Sequence, residues 1–386
     1  MPAPPLAERL RLRLESWLLR RWFGSPARPS DWLDRGLLLP LSGLTASVSR
    51  QRRARVRRLA PGHRPAVVVV GNLVVGGTGK TPLVAELARA LSARGWKVGI
   101  IARGHRAQRD DPRLVGITDE AREHGDEPVL LARASGVPVA CARQRALALA
   151  LLTATHPETE IVISDDGLQH PGLARTLEIA VFDERGAGNG RLLPAGPLRE
   201  PLAHLASMDA LVWRQPAGPT DSAAPALRLC AAPGDAPVLP DRRFTFRLRP
   251  NAWRRVLRTD AKLGTGLPPA DGMTDDARSL ALEDFAQFCR GKPVHALAGI
   301  AQPERFFALA RDSGLSLAGT RVLPDHGLAD PSLLPPQAEV IVMTAKDAVK
   351  FESFDDPRCW YLEVRAHPDP ALVDWLEDRL SGSSTD

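Results

Sequence analysis

The stretch Val67-Val-Val-Val-Gly-Asn-Leu-Val-Val-Gly-Gly-Thr-Gly-Lys-Thr-Pro82 decides the fold of this chain. Four valines, the length of a buried parallel strand, lead into a glycine-rich loop, and a helix-like segment follows at 83–91. This order of strand, loop and helix is the context that a phosphate-binding loop requires. Backbone N–H groups near glycines can surround phosphate oxygens, and a helix N-terminus adds positive potential. The stretch therefore predicts a site for a nucleoside triphosphate.

Eight consecutive residues are the predicted nucleotide contacts. They are Val75, Gly76, Gly77, Thr78, Gly79, Lys80, Thr81 and Pro82. We expect Lys80 to reach the outer phosphates and the Thr81 hydroxyl to reach a magnesium ion. The standard spacing would place a first glycine at Val74, so the loop departs from the strict pattern. The alternative is a strand-to-helix turn with chance glycines, which the flanking elements and Gly-Lys-Thr disfavour.

Length and composition are those of an ordinary globular protein. The chain has 386 residues, enough for two or three domains and a large core. Its four cysteines, Cys141, Cys230, Cys289 and Cys359, lie far apart and form no Cys-x-x-Cys pair. This spacing indicates neither a zinc site nor a disulfide framework, and it fits a reducing cytosol.

The positive charge is concentrated near the N-terminus. Residues 1–64 hold 14 arginines against four acidic residues, whereas the net charge of the whole chain is only +6. The apolar run at 37–48 contains Pro40 and Gly43 and is too short to span a bilayer as one helix. It also lacks the small-residue cleavage site of a secretory signal.

Trp17, Trp22 and Trp32 accompany these apolar residues and arginines. The combination favours an interfacial anchor on an anionic membrane surface, peripheral or shallowly inserted. A basic helical hairpin packed on the core and a nucleic-acid-binding arm are the alternatives. The tryptophan and leucine content disfavours the last, so we expect no nucleic-acid partner.

Beyond the loop, strand-like apolar runs alternate with helical stretches, which is the pattern of an α/β fold. The predicted strands lie at 67–70, 97–103, 137–141, 160–164, 177–182, 210–213, 244–249, 294–297, 339–343 and 360–364. A proline-rich connection at 216–240 separates two α/β patterns. We expect an N-terminal segment at 1–64, a P-loop core at 65–243, and linker strands with a C-terminal α/β domain at 244–386.

Two acidic motifs are candidate parts of a catalytic site. Asp165 and Asp166 end the apolar strand in Ile161-Val-Ile-Ser-Asp-Asp-Gly-Leu-Gln-His170. In P-loop proteins such a carboxylate organises the magnesium ion, directly or through water; alternatively, both acids only start a turn. Asp126, in a Gly-Asp-Glu-Pro motif, is either the N-cap of a helix or a base for an acceptor hydroxyl.

Further charged residues follow predicted strands and loops. Arg199 and Glu200 either face phosphate and metal or begin a solvated helix. His326 follows an aspartate in a loop, where an isolated histidine is more often structural than catalytic. The segment Lys346-Asp-Ala-Val-Lys350 ends a strand with charged groups that could close on bound nucleotide and acceptor.

In this order, the motifs closely resemble those of the tetraacyldisaccharide 4′-kinase family over nearly the whole chain. The segments that carry the resemblance are 37–42, 70–82, 125–128, 165–170, 193–200, 298–307, 325–326 and 346–350. The sequence Asp-Asp-Gly-Leu-Gln-His beside the unusual loop is specific.

The resemblance implies a P-loop NTPase-like core with a parallel sheet, a second smaller α/β domain joined by a β-stranded linker, and an N-terminal helical segment that associates with the membrane. It implies transfer of the γ-phosphoryl group of ATP to the 4′-hydroxyl of an acylated glucosamine disaccharide 1-phosphate. The implied product is lipid IVA, in lipid A biosynthesis, and the implied location is the cytoplasmic face of the inner membrane. It implies that Asp126 is the base, assisted by His326. The implied magnesium ligands are Thr81, Asp165, Asp166 and Glu200.

Two positions depart from the family pattern. The family usually has Arg-Gly-Tyr-Gly where this chain has Arg103-Gly-His-Arg106, and it usually has a glutamate where this chain has Ala345. Neither departure touches the loop, the aspartates or His326. A partitioning ATPase would typically carry a lysine at Val75, and a soluble small-molecule kinase would leave the tryptophan-rich N-terminus unexplained.

Overall fold

A computed structural model describes residue 14 and residues 17–24, 34–60, 62–104, 111–216, 237–257, 279–300, 302–324 and 329–382. The chain forms two compact units. The first comprises Met1–Pro61, Val67–Lys80 and Asp166–Phe246, and the second comprises Gly62–Ala66, Thr81–Asp165 and Arg247–Asp386.

Strands and helices alternate along most of the described chain. The strands are β1 (Ala66–Gly71), β2 (Val98–Ala102), β3 (Arg113–Val115), β4 (Val139–Cys141), β5 (Ile161–Asp165), β6 (Leu177–Phe182), β7 (Ala210–Arg214), β8 (Arg242–Arg255), β9 (Ser279–Leu280), β10 (Val294–Ala298), β11 (Leu317–Val322), β12 (Val340–Thr344) and β13 (Cys359–Pro368). The α-helices with described bounds are α1 (Leu39–Ala54), α2 (Lys80–Ala93), α3 (Ala121–His124), α4 (Asp126–Ser135), α5 (Arg145–Thr155), α6 (Leu282–Phe288), α7 (Pro303–Asp312), α8 (Ala345–Phe351) and α9 (Pro370–Ser381).

The first unit is built on parallel strands. β1 pairs with β6, β6 with β7, and β7 with the beginning of β8, all in parallel. Every residue of β1 and β6 is buried, as expected for central strands of a parallel sheet, and the valines of β1 suit such a strand. The glycine-rich loop leaves β1 at this sheet.

A buried carboxylate attaches α1 to this sheet. Glu178 of β6 is fully buried and accepts hydrogen bonds from Arg53 of α1 and from Arg175, while Arg58 lies 3.1 Å away. Burial by itself raises the pKa of Glu178, but the hydrogen bonds and charges of these arginines outweigh it and hold the pKa below its usual value. Removing one partner of such a buried ion pair costs about 3–5 kcal/mol, so this cluster fixes where α1 lies.

The second unit contains two sets of strands. β5, β2 and β4 pair in parallel, and β3 adds an antiparallel edge to β4. In the other set, β11, β10, β12 and β13 pair in parallel, the later part of β8 lies beside β13, and β9 is antiparallel to β8. Trp253, Phe285 and Trp360 fill its core, with ring centroids 4.9 Å apart in the Trp253–Phe285 and Phe285–Trp360 pairs. The predicted α/β fold is thereby confirmed.

Helix α2 begins directly at the predicted phosphate-binding residues. Its buried residues Leu83, Leu87 and Leu91 recur at helical spacing on one face, which packs against the core. Among the described helices, none has both the length and the apolar composition needed to cross a bilayer.

Three cysteines of the described chain are buried thiols. Burial raises the pKa of Cys141 and of Cys289 to about 11 and that of Cys359 to about 12. Since the thiolate is the nucleophile, we expect iodoacetamide at pH 8 to leave these three residues unmodified in the folded protein and to modify them in denaturant. Peptide mass spectrometry of the two samples measures this, and rapid labelling of the three in the folded protein would contradict it.

Candidate active site

The entry to the glycine-rich loop is held by the segment at 192–199. The backbone N–H of Val75 donates to the carbonyl of Pro197 at 2.9 Å, and Val74 forms an antiparallel bridge with Leu198. Val74 occupies the position of the glycine that the standard pattern would have, and its side chain is fully buried. Where the loop departs from the standard pattern, the side chain of Val74 is therefore packed in the core and its backbone is paired with Leu198.

Two of the three glycines in the loop have conformations that favour glycine. Gly76 and Gly79 have φ angles of +97° and +86°, in the region that other residues rarely adopt. Asn72 donates a hydrogen bond from Nδ2 to the carbonyl of Gly76 at 3.3 Å. Thr78 is fully buried, and its hydroxyl has no hydrogen-bond partner within the described part of the chain. A buried hydroxyl in this state suits a loop that completes its hydrogen bonds with a ligand.

Arg185 is a candidate residue that the sequence analysis missed. Its guanidinium binds the buried carboxylate of Asp183 at 2.8 Å and lies 3.4 Å from the carbonyl of Gly77. The same guanidinium lies 4.8 Å from the ring centroid of Phe23. A positive charge beside the loop suits the binding of phosphate. The signal that could have found it is its position just after β6, at the carboxyl end of a parallel strand.

Asp166 pairs with two cations in the first unit. Its Oδ1 lies 3.7 Å from Lys80 Nζ, and its Oδ2 lies 3.0 Å from an Arg199 nitrogen. Asp166 has a φ of +52°, a left-handed conformation that is uncommon for an aspartate and that clusters at functional sites. These contacts place Asp166 beside two positive charges of the kind that bind phosphate.

Asp165, in the second unit, contacts Thr81, another of the predicted magnesium ligands. The hydroxyl of Thr81 donates to Asp165 Oδ2 at 2.9 Å, and Asp165 is buried. Arg145 donates to the backbone carbonyl of Asp165 at 2.8 Å, which fixes the end of β5. A hydroxyl and a carboxylate are hard oxygen donors of the kind that Mg²⁺ prefers, so these residues fit that ion.

The described residues contain no cluster of three or more His, Cys, Asp or Glu side chains arranged to hold a metal. Mg²⁺ is usually bound by one or two carboxylates, with waters and substrate phosphates as the remaining ligands. Asp165 and the hydroxyl of Thr81 therefore supply ligands of the kind that this ion takes from a protein.

Glu200 does not begin a solvated helix, so that alternative is wrong for this residue. It is buried; Gln169 Nε2 donates to its Oε1 at 2.7 Å, and His204 Nδ1 lies 2.9 Å from its Oε2. A short 3₁₀ helix starts only at Leu202. The predicted role of Glu200 at magnesium stays a prediction.

Asp126 is the first residue of α4, and Gly125, with a φ of +90°, is the N-cap. The N-cap alternative for Asp126 is therefore wrong. Its Oδ2 lies 3.7 Å from Lys350 Nζ of α8. Its role as a base stays a prediction. His326 and His105 lie outside the described residues, and Ala345 is the first residue of α8.

A cavity of about 260 Å³ lies within the first unit, beside α1. The side chains that α1 contributes are Leu44, Thr45, Val48, Ser49, Arg52 and Arg53. The opposite wall is formed by Leu168, Gln169, Arg199 and Glu200. The cavity thus combines apolar and charged residues. Of the charged ones, Arg199 also contacts Asp166, and Glu200 also contacts Gln169.

Comparison with known proteins decides the family. The family model described as tetraacyldisaccharide-1-P 4′-kinase, or LpxK, matches residues 35–381. The chain belongs to this family. It is 44% identical to the tetraacyldisaccharide 4′-kinase of Bordetella petrii, with 95% of each chain covered. It is 41% identical to the tetraacyldisaccharide 4′-kinase of Dechloromonas aromatica, with 96% of this chain and 98% of that one covered.

A solved structure of this family has the same fold. LpxK from Aquifex aeolicus in complex with ATP is similar over 89% of this chain and 98% of that one, with a TM-score of 0.64 and 24% sequence identity. Because the chain belongs to the tetraacyldisaccharide-1-P 4′-kinase family, a partitioning ATPase is no longer a competing interpretation.

Val74→Gly, which restores the standard spacing, should destabilise the protein. The loss of buried methyl groups and the added backbone freedom should cost about 2–4 kcal/mol of the free energy of unfolding. Val322→Gly removes the same side chain at a position that is 51% exposed and should cost about 1 kcal/mol. Urea denaturation measures both, and equal losses would contradict the packing role of Val74.

Proposed function

We propose that this chain is an ATP-dependent kinase that phosphorylates the 4′-hydroxyl of tetraacyldisaccharide 1-phosphate, giving lipid IVA in lipid A biosynthesis. The observation that carries the proposal is the set of contacts at the loop of a chain that belongs to this family. Lys80 faces Asp166, and the next residue, Thr81, binds the preceding carboxylate, Asp165.

The nucleotide is bound by the loop. Residues 75–82 surround the phosphates of ATP, with Lys80 at the β- and γ-phosphates and Arg185 adding positive charge. Mg²⁺, when bound, neutralises charge on these phosphates. The residues that would hold or order it are Thr81, Asp165, Asp166 and Glu200.

The chemical step is a direct transfer. Asp126 accepts the proton of the 4′-hydroxyl while the sugar oxygen bonds to the γ-phosphorus and the bond from that phosphorus to the β–γ bridging oxygen of ATP breaks, releasing ADP. His326 assists Asp126. The domains that carry these parts are the core at 65–243 and the linker strands with the C-terminal domain at 244–386.

The acceptor is an amphiphile, and α1 has the surface to meet it. This helix buries two of its three serines and exposes its larger apolar residues. Ser42 and Ser49 are buried, and Ser42 donates to the carbonyl of Leu192 at 2.8 Å, whereas Leu44 and Val48 are 64% and 46% exposed. An amphipathic helix with its apolar face outward is suited to lie in a membrane interface.

Charge supports the same orientation. Five arginines between positions 50 and 58 are exposed, in contrast to Arg53, which binds Glu178; they are Arg50, Arg52, Arg55, Arg57 and Arg58. Arginines beside an apolar face are attracted to anionic lipids. The proposed location is therefore the cytoplasmic face of the inner membrane, with residues 1–64 as the associating segment and the cavity beside α1 receiving part of the acylated sugar.

An assay with matched acceptors tests the function. In detergent micelles with Mg²⁺-ATP, we expect phosphate transfer to the acylated disaccharide 1-phosphate and much less to its deacylated counterpart, because the acyl chains bring the acceptor to α1. A soluble small-molecule kinase would accept both, and ATP hydrolysis unchanged by either acceptor would refute the proposal.

A matched pair of variants tests the membrane surface. Val48→Glu should weaken sedimentation with vesicles that contain anionic lipid, because it places a carboxylate on the apolar face of α1. Val322→Glu introduces the same change at an exposed valine of the second unit and should leave sedimentation unchanged. Equal binding by both variants and the unaltered protein would exclude α1 as the membrane contact.

A further inference from the structure

We propose that Lys350 is a positioning residue for Asp126, and that the buried carboxylate of Asp347 fixes Lys350 in place. This inference rests on the proposed role of Asp126 as the base that accepts the proton of the acceptor hydroxyl. All three residues belong to the second unit.

The arrangement starts from Asp347, which is fully buried in the first turn of α8. Its Oδ2 accepts hydrogen bonds from the backbone N–H of Gly299 at 2.8 Å and from the hydroxyl of Thr344 at 2.6 Å. Thr344 in turn is the N-cap of α8 and accepts from the backbone N–H of Asp347 at 3.2 Å. A buried carboxylate with this many donors is held in one orientation.

Gly299 is required for this contact. A Cβ at position 299 would lie 2.7 Å from Asp347 Oδ1, closer than real Cβ contacts come. The absence of a side chain lets the backbone N–H after β10 approach the carboxylate directly. The hydrogen bond from Gly299 to Asp347 therefore joins the Ala-Gly-Ile segment at the end of β10 to the Lys-Asp-Ala-Val-Lys segment of α8.

Lys350 lies one helical turn after Asp347, so its ammonium returns to the same carboxylate. Nζ lies 3.2 Å from Asp347 Oδ1 and 3.7 Å from Asp126 Oδ2, and the side chain is only 10% exposed. An ammonium has three donors and no acceptor, so it can bind both carboxylates at once. The buried Asp347 thus limits where the ammonium can lie, and the ammonium limits where the Asp126 carboxylate can lie.

This restriction matters for a base. Proton transfer requires the accepting oxygen to lie within hydrogen-bond distance of the hydroxyl, and small misplacements cost large factors in rate. Asp126 starts α4 and follows a glycine with a positive φ, so its backbone by itself leaves the carboxylate several orientations. Lys350 selects among them by binding Oδ2.

A double-mutant cycle tests the inference in the full-length protein. Lys350→Met should lower kcat by about 10- to 100-fold, with the KM values of ATP and acceptor changed less than about twofold. Asp126→Asn should lower kcat by about 10²- to 10⁴-fold. If Lys350 acts through Asp126, the double variant should be no slower than Asp126→Asn alone, since no ionised base is left to position. Lys350→Arg, which keeps a cation, should recover part of the lost kcat, whereas Lys350→Gln should resemble Lys350→Met.

A neighbouring ion pair provides the control. Arg133 of α4 binds Glu352, just after α8, and so links the same two helices at a position seven residues beyond Asp126 in α4. Arg133→Met should lower the melting temperature, and whatever effect it has on kcat should multiply with that of Asp126→Asn. This control separates general loosening of the two helices from an effect on the base.

The outcomes are distinct. Multiplicative effects of Lys350→Met and Asp126→Asn would overturn the inference, as would a rise in KM with unchanged kcat. Near-normal turnover by Asp126→Asn would remove the base and the inference together, while transfer by the unaltered protein would still support the kinase. No transfer by the unaltered protein would refute the proposed function itself. Lys350→Gln serves the same cycle if the methionine variant does not fold.

Discussion

The backbone pairing between the glycine-rich loop and the segment at 192–199 is the constraint on which the first unit depends. The carbonyl of Leu73 accepts from the N–H of Arg199 at 2.6 Å, and Val75 donates to Pro197. This pairing buries Val74 where other P-loops have glycine, and it brings the Arg199 side chain to Asp166. Because these backbone hydrogen bonds fix both segments at once, the unusual loop and the Leu-Pro-Ala-Gly-Pro-Leu-Arg-Glu motif form one structural element.

Each unit also contains a buried carboxylate whose partners come from distant parts of the chain. Glu178 binds Arg53 and thereby holds helix α1, while Asp347 binds Gly299 and Lys350 and thereby reaches Asp126. A buried charge without partners is costly, so each cluster fixes all of its members together. In both cases a structural ion pair orients an element that the proposed reaction uses.

The regular elements were largely predictable, because buried parallel strands and amphipathic helices have distinct hydrophobic periods. β6 agrees with its predicted bounds, and β1, β2 and β7 agree within two residues. β11 was missed because its residues alternate between half-buried and exposed without a strong apolar run. β8 extends from Arg242 to Arg255, beyond the six residues predicted. Its many arginines interrupt the apolar pattern, so the sequence did not reveal that the strand continues from its pairing with β7 to its pairing with β13.

The sequence by itself determined the nucleotide loop, the acidic strand end and the family, since these depend on residues that are adjacent in the chain. Only the tertiary structure decided that α1 turns Ser42 and Ser49 inward and its leucines outward, since that depends on which face Glu178 and Leu192 engage. Likewise, Arg185 at the loop and Lys350 at Asp126 are contacts across long sequence separations. Periodicity and spacing describe neighbours along the chain, whereas such contacts exist only once strands and helices have packed.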